Sequence, residues 1–148
     1  MSGVSGETAD GSSLVAFLNG IYGTVTADTN YTDEVWFPHF QSSFDRWSEL
    51  TGITYVYAAY DDGANLTSFA SLAPGVLGLR ADVRIGGHGI DGNSGVVAYN
   101  VYPDNGEMVI DTPDSFYNTT SNNSFRLRNT IMHESGHGIM SSPVPARF

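Results

Sequence analysis

Two histidines and a glutamate near the end of the chain have the spacing of a metal-binding helix. The segment reads His133-Glu134-Ser135-Gly136-His137. On an α-helix, residues four positions apart share one face, so His133 and His137 can present imidazole nitrogens to one tetrahedral zinc ion. Glu134 lies about 100° round the helix, where its carboxylate can take a proton from a zinc-activated water. The alternative interpretation is a polar helix face with two solvated histidines.

The composition favours one acidic domain. With 148 residues, of which 41% are hydrophobic, the chain can bury one core. We expect a flexible Gly/Ser-rich segment over 1–12 and a single domain over 13–148. The formal net charge is −10, and there is no lysine, so phosphate backbones would repel the chain and nucleic acid is not an expected partner.

Neither disulfides nor a membrane span are expected. The chain has no cysteine, so the redox compartment cannot be inferred from disulfides. No apolar run reaches membrane-spanning length, and a membrane is not an expected partner. Residues 1–7 lack the basic and apolar regions of a signal peptide, so either the protein is cytoplasmic or its export signal lies outside this chain.

Helical periodicity predicts three helices. Apolar residues over 14–21 indicate a short amphipathic helix closed by Gly23. Thr32 is a candidate cap for a longer helix, with Pro38 near its start and Gly52 just past its end. Its apolar stripe comprises Trp36, Phe37, Phe40, Phe44, Trp47 and Leu50. His39, on the same helix, is expected to be a surface or packing residue. The last helix should begin near 122–124, bury Phe125, Leu127, Ile131 and Met132, and carry the two histidines on its other side.

Four segments between the helices favour strands. They are 53–60, which ends at Asp61-Asp62-Gly63, then 81–85, 95–102 and 107–111. Helices flanking a run of strands predict a mixed α/β domain with its sheet packed against the main helices.

The order of these segments resembles the catalytic domain of matrixin-type (matrix metalloproteinase-like) metzincin zinc metallopeptidases. The resemblance covers about residues 30–140 and rests on Thr51-Gly52-Ile53-Thr54-Tyr55, Ala81-Asp82-Val83-Arg84-Ile85, Asp91 to Tyr99, Gly106 to Asp111 and His133-Glu134-Ser135-Gly136-His137. It implies an α+β zincin-like fold, in which a twisted, mostly parallel sheet has one antiparallel edge strand and two main helices. It also implies a secreted metalloendopeptidase, expected to be monomeric. In that family the edge strand, here about 95–102, pairs with an extended peptide substrate, and the alternative is a buried strand with no such role.

The resemblance also implies structural calcium. Asp91, Asp111 and Asp114 fall where matrixins bind this ion, together with backbone oxygens of Gly92, Ser94 and Val96, and hard oxygen ligands suit calcium. The alternative is a pair of Asp-rich turns. A second, structural zinc is not expected, because Tyr99 and Val109 stand where the family uses histidines, and His88 is expected to be a loop residue.

The chain departs from the metzincin pattern after His137. The pattern H-E-x-x-H-x-x-G-x-x-H requires a glycine and a third ligand at positions held here by Met140 and Pro143. Proline has no ligand atom. We therefore expect a peptidase domain truncated at its C-terminus, in which the chain ends at Phe148. Two alternatives stay open: a catalytically impaired metzincin fragment lacking the third zinc ligand, and a calcium-dependent extracellular binding domain.

Overall fold

Two helices precede three strands and a last helix follows them, which is a mixed α/β arrangement in agreement with the predicted α/β class. The computed structural model describes residues 11–28, 30–64, 75–101 and 106–140. The helices are α1 (Leu14–Tyr22), α2 (Phe37–Thr51) and α3 (Ser121–Met140), and the strands are β1 (Ile85–His88), β2 (Ala98–Asn100) and β3 (Met108–Asp111). Short 3₁₀ helices span Tyr31–Asp33 and Ser115–Asn118. Most of the expected flexible segment, residues 1–10, lies outside the described residues, and so does Pro143.

The sheet has its antiparallel strand at one edge. The strand order is β1-β3-β2, with β1 parallel and β2 antiparallel to the central β3. Ile85 lies opposite Met108 in the parallel pair, and Ala98 lies opposite Ile110 in the antiparallel pair. The predicted antiparallel edge strand is therefore confirmed within the described residues. The sheet seen here has one parallel and one antiparallel pair of strands, so the larger, mostly parallel sheet of a zincin remains a prediction.

The core joins all three helices to one face of the sheet. Leu18 of α1, Met108 and Ile110 of β3 and Ile131 of α3 have no exposed side-chain surface. Removing each such side chain from water contributes about 1.5–3 kcal/mol. The buried hydrophobic cluster comprises Leu14, Leu18, Trp36, Phe40, Ala98, Met108, Ile110, Tyr117, Leu127 and Ile131. Its members come from segments far apart in sequence, so the core fixes α3 against the edge strand β2.

Helix α2 begins later than the sequence predicts. Thr32 does not cap it, because residues 31–33 form a separate 3₁₀ helix and α2 starts at Phe37. Proline lacks an N–H and is tolerated only in a first helical turn, so Pro38 sets this start. The predicted end is correct, since Gly52 adopts a left-handed φ of 75° and its N–H bonds to the Ser48 carbonyl. Leu50 is 55% exposed, so the predicted apolar stripe ends before it.

The segment 53–60 forms no strand, contrary to the prediction. Tyr55 and Tyr57 pack instead against α2, with their ring centroids 5.0 Å from that of Phe44 and 4.9 Å from that of Phe37, respectively. The predicted turn after it is present, because the Gly63 N–H bonds to the Asp61 carboxylate. The other strands are shorter than predicted or shifted: β1 begins only at Ile85, β2 has three residues and β3 has four.

Helix α3 begins with an irregular turn. Asn122, Asn123 and Ser124 have φ values of 54–55°, in the left-handed region, so the right-handed helix starts at Phe125. The predicted burial of Phe125 is wrong, since this residue is 56% exposed and Ser124 is buried instead. Further along, a buried stripe at helical spacing faces the core and consists of Leu127, Thr130, Ile131, Glu134 and Ser135.

Candidate metal centre

Helix α3 presents His133 and His137 together on its solvent side. Both side chains are exposed, as the sequence predicts for the face opposite the buried stripe. Their Nε2 atoms lie 3.1 Å apart, and the ring centroids are separated by 4.8 Å with the ring planes nearly perpendicular. One Nε2–H can donate to the other nitrogen, because a neutral imidazole has one donor and one acceptor nitrogen.

The two imidazoles fit a zinc ion. Zinc–nitrogen bonds of about 2.0–2.1 Å in tetrahedral geometry place two ligand nitrogens about 3.3 Å apart. The Nε2–Nε2 separation of 3.1 Å is close to this value. His133, Glu134 and His137 are also the one group of three or more metal-ligating side chains found among the described residues, with candidate ligand atoms all within 4.8 Å of one another.

Glu134 differs from the histidines in being buried. Its side chain turns toward the core and β2, and the residue is 8% exposed. Burial raises the pKa of its carboxyl group above the ordinary value, while the nearby His133 and His137 and a hydrogen bond from the Asn100 backbone oppose the rise. A raised pKa makes the carboxyl group take up a proton more readily, which suits a general base.

The outer edge of β2 lies beside this carboxylate. The Asp111 N–H bonds to the Val97 carbonyl, and the Val101 N–H bonds to the Glu107 carbonyl. The main-chain N–H and C=O groups of the odd-numbered residues in this segment therefore point toward β3. In an antiparallel pair, the main-chain groups of the intervening residues point away from the partner. The N–H and C=O groups of Ala98 and Asn100 therefore form the outer edge, and the Asn100 N–H contacts Glu134.

The residues predicted to bind calcium bond to nearby backbone groups. Asp111 is fully buried, and its carboxylate accepts N–H bonds from Ile90 at 2.9 Å and Gly92 at 2.9 Å, with a longer one from Asp91. Asp91 accepts from the Val96 N–H, and Asp114 accepts from the Phe116 N–H. These bonds are those of structured Asp-rich turns, which are the alternative to a calcium site. Among the described residues, no cluster of possible metal ligands contains the three aspartates, and the calcium site stays a prediction.

The other histidines lie away from α3's exposed face. His88 is not a loop residue, because it ends β1 and is buried opposite Asp111. His39 is a packing residue, with its ring 5.3 Å from that of Tyr22. Tyr99 and Val109 lie directly opposite each other on β2 and β3. The expectation of no second zinc stays a prediction.

Three residues near the site have roles that the sequence does not predict. The Asn100 backbone bonds to Glu134, and the Tyr117 hydroxyl donates to the Val97 carbonyl at 2.7 Å, which ties β2 to the segment preceding α3. The Trp47 indole donates to the Met132 carbonyl at 3.0 Å. Backbone contacts leave no sequence signal, whereas the small Gly136 within the histidine motif could have indicated a close neighbour.

Comparison of the chain with protein-family models, with curated proteins and with solved structures finds no match. None of the helices that the structure describes is both long enough and apolar enough to cross a membrane.

Proposed function

We propose that this chain is a zinc-dependent metalloendopeptidase of the matrixin type, with a zincin-like fold. One observation carries the proposal: two exposed imidazoles 3.1 Å apart share a helix face, and the buried carboxyl group of Glu134 lies within 4.8 Å of them. Solvated histidines on a polar face need no such carboxyl group. The antiparallel edge strand beside Glu134 adds support, because it offers a backbone to which a peptide can pair.

Each residue of the site has a distinct role in this proposal. His133 and His137 hold zinc, which when bound lowers the pKa of water and polarises a carbonyl group. Glu134 takes the proton of the attacking water as the peptide carbonyl is attacked. It then delivers that proton to the leaving amine. Burial of Glu134 favours proton uptake from the water, because it raises the pKa of the carboxyl group.

The substrate is an extended segment of a peptide or protein. Its backbone would pair with the outward N–H and C=O groups of Ala98 and with the C=O group of Asn100, whose N–H is bonded to Glu134. With a net charge of −10, the chain repels nucleic acid rather than binding it. We place this activity outside the cell, on a monomeric enzyme.

A second candidate is a metal-binding domain without turnover. One observation in its favour is Met140, which stands where the metzincin pattern has a glycine. Another is that the cluster of possible metal ligands found among the described residues contains only two imidazoles. Two protein ligands bind zinc more weakly than three.

Substitution of Glu134 separates these candidates. Glu134→Gln should keep zinc bound by the histidines and abolish cleavage of an unstructured protein such as casein. Glu49→Gln, an exposed control on α2, should leave both unchanged. Zinc content is measured after dialysis, and cleavage by fluorescence release. A chain that binds zinc but never cleaves is the non-catalytic domain, and cleavage that survives Glu134→Gln contradicts the proposed mechanism.

A further inference from the structure

Trp47 of α2 packs directly against the glycine of the histidine motif. A Cβ atom added to Gly136 would lie 3.0 Å from Cζ2 and 3.6 Å from Cη2 of the Trp47 ring. The first distance is shorter than the van der Waals contact of about 3.5–4.0 Å between carbon atoms. Gly136 is therefore the residue that lets α2 and α3 approach at this turn.

The same tryptophan is hydrogen bonded one turn earlier on α3. Its Nε1–H donates to the Met132 carbonyl at 3.0 Å. One turn of α2 before Trp47, the Ser43 hydroxyl lies 3.4 Å from the Arg128 carbonyl. Arg128, Met132 and Gly136 follow each other at intervals of four, so α2 contacts one continuous ridge of α3.

This ridge is adjacent to the metal-ligating face. Met132 directly precedes His133, and Gly136 directly precedes His137. An indole that fixes both Met132 and Gly136 thus fixes the rotation of α3 about its axis at the turn between the two ligands. Glu134 lies on this same turn and is bonded to the Asn100 backbone, so rotation of the turn would disturb that bond and move both Nε2 atoms relative to β2.

We propose that Trp47 is a positioning residue for the zinc ligands, and that Gly136 is required to admit its ring. The inference rests on the zinc binding of the proposed function, but not on turnover. Groups that orient metal ligands without touching the metal typically change metal affinity by about 10–100-fold when removed. Trp47 acts through the helix backbone, so the low end of that range applies.

The two tryptophans of the chain provide a matched test. Trp47→Phe and Trp36→Phe each remove an indole N–H bond from a packed ring, since Trp36 donates to Asn19 at 2.8 Å, away from α3. Zinc affinity is measured by competition with a chromogenic chelator, and the absorption of bound Co²⁺ reports ligand geometry. We expect Trp47→Phe to bind zinc about 10-fold more weakly and to alter the Co²⁺ spectrum. Trp36→Phe should behave as the unchanged chain does.

Equal zinc affinity and identical Co²⁺ spectra for the two variants would overturn the proposal. Should Trp47→Phe fail to fold, Gly136→Ala against Gly138→Ala makes the same comparison, because an added Cβ at Gly138 would come no closer than 3.4 Å to a neighbour. If the unchanged chain binds no zinc, the proposed function and this inference fail together. If it binds zinc without cleaving peptides, only the proposed turnover fails and the tryptophan comparison still decides the inference.

Discussion

Replacing Gly136 by alanine should destabilise the protein, although the same change usually stabilises a helix. Alanine inside a helix is favoured over glycine by about 0.8–1.0 kcal/mol. Gly20 of α1 has open space around it, and an added Cβ at Gly138 of α3 would make ordinary contacts with Asn100. Gly20→Ala and Gly138→Ala should therefore each raise the free energy of unfolding by up to about 1 kcal/mol.

At Gly136 the contact with Trp47 reverses the sign. The added methyl group would lie 3.0 Å from Cζ2 of a ring held by its bond to Met132, so the ring cannot move freely. Overpacking of this kind costs about 1–3 kcal/mol. After subtraction of the gain in helix propensity, Gly136→Ala should lower the free energy of unfolding by about 0–2 kcal/mol.

Urea denaturation of the three glycine variants measures these differences directly. The Trp47→Phe background supplies the control, because phenylalanine lacks the second ring that carries Cζ2 and Cη2. In that background Gly136→Ala should stabilise the protein by up to about 1 kcal/mol. If Gly136→Ala in the unchanged chain stabilises as much as Gly138→Ala does, the close packing of Trp47 against the motif is refuted.

Three further predictions concern buried charges. Arg84 pairs with Glu107, whose carboxyl pKa is raised by burial and lowered by Arg84. Arg84→Gln should therefore cost about 3 kcal/mol at pH 8, and this cost should shrink as the pH falls and Glu107 takes up a proton. Exposed Arg46→Gln is the control, and urea midpoints that fall equally for the two variants would contradict the pairing. The pKa of His39 is lowered by burial and, to a lesser extent, by Arg128, so the unfolded chain takes up a proton at higher pH than the folded chain does. The free energy of unfolding should therefore fall as the pH drops below about 6.5. His39→Gln should flatten this part of the plot of urea midpoint against pH. Asp111→Asn should lower the free energy of unfolding by about 2 kcal/mol, because the charge-assisted bonds from Ile90 and Gly92 are lost. Calcium should raise the melting temperature of the unchanged chain but not of this variant. No calcium effect on the unchanged chain would exclude the predicted calcium site.

The sequence predicts the helices better than the sheet because helical signals are local. Gly23 and Gly52 end α1 and α2 as predicted, since a residue that must adopt positive φ favours glycine. The strand predicted over 53–60 depends on pairing with a distant segment, and its tyrosines bind the aromatic face of α2 instead. The burial predicted for Phe125 is wrong as well, because a left-handed turn over 122–124 changes which residues of α3 face the core.

The close approach of the two histidines could be predicted because helix geometry alone brings residues four apart together. His133 and His137 need no tertiary information to meet, and their 3.1 Å separation agrees with the expected shared ligand face. The burial of Glu134 against the Asn100 backbone depends on where β2 packs, which composition and spacing do not reveal. The contact between Trp47 and Gly136 likewise joins residues 89 positions apart.

Zinc binding by the untagged chain tests the central claim most directly. Isothermal titration with zinc, checked by elemental analysis after dialysis, should give one zinc per chain, and either His133→Ala or His137→Ala should abolish this binding. His39→Gln, which alters a histidine packed between helices, should leave the stoichiometry at one. A chain that takes up no zinc, or that binds it equally well without His137, would contradict the account.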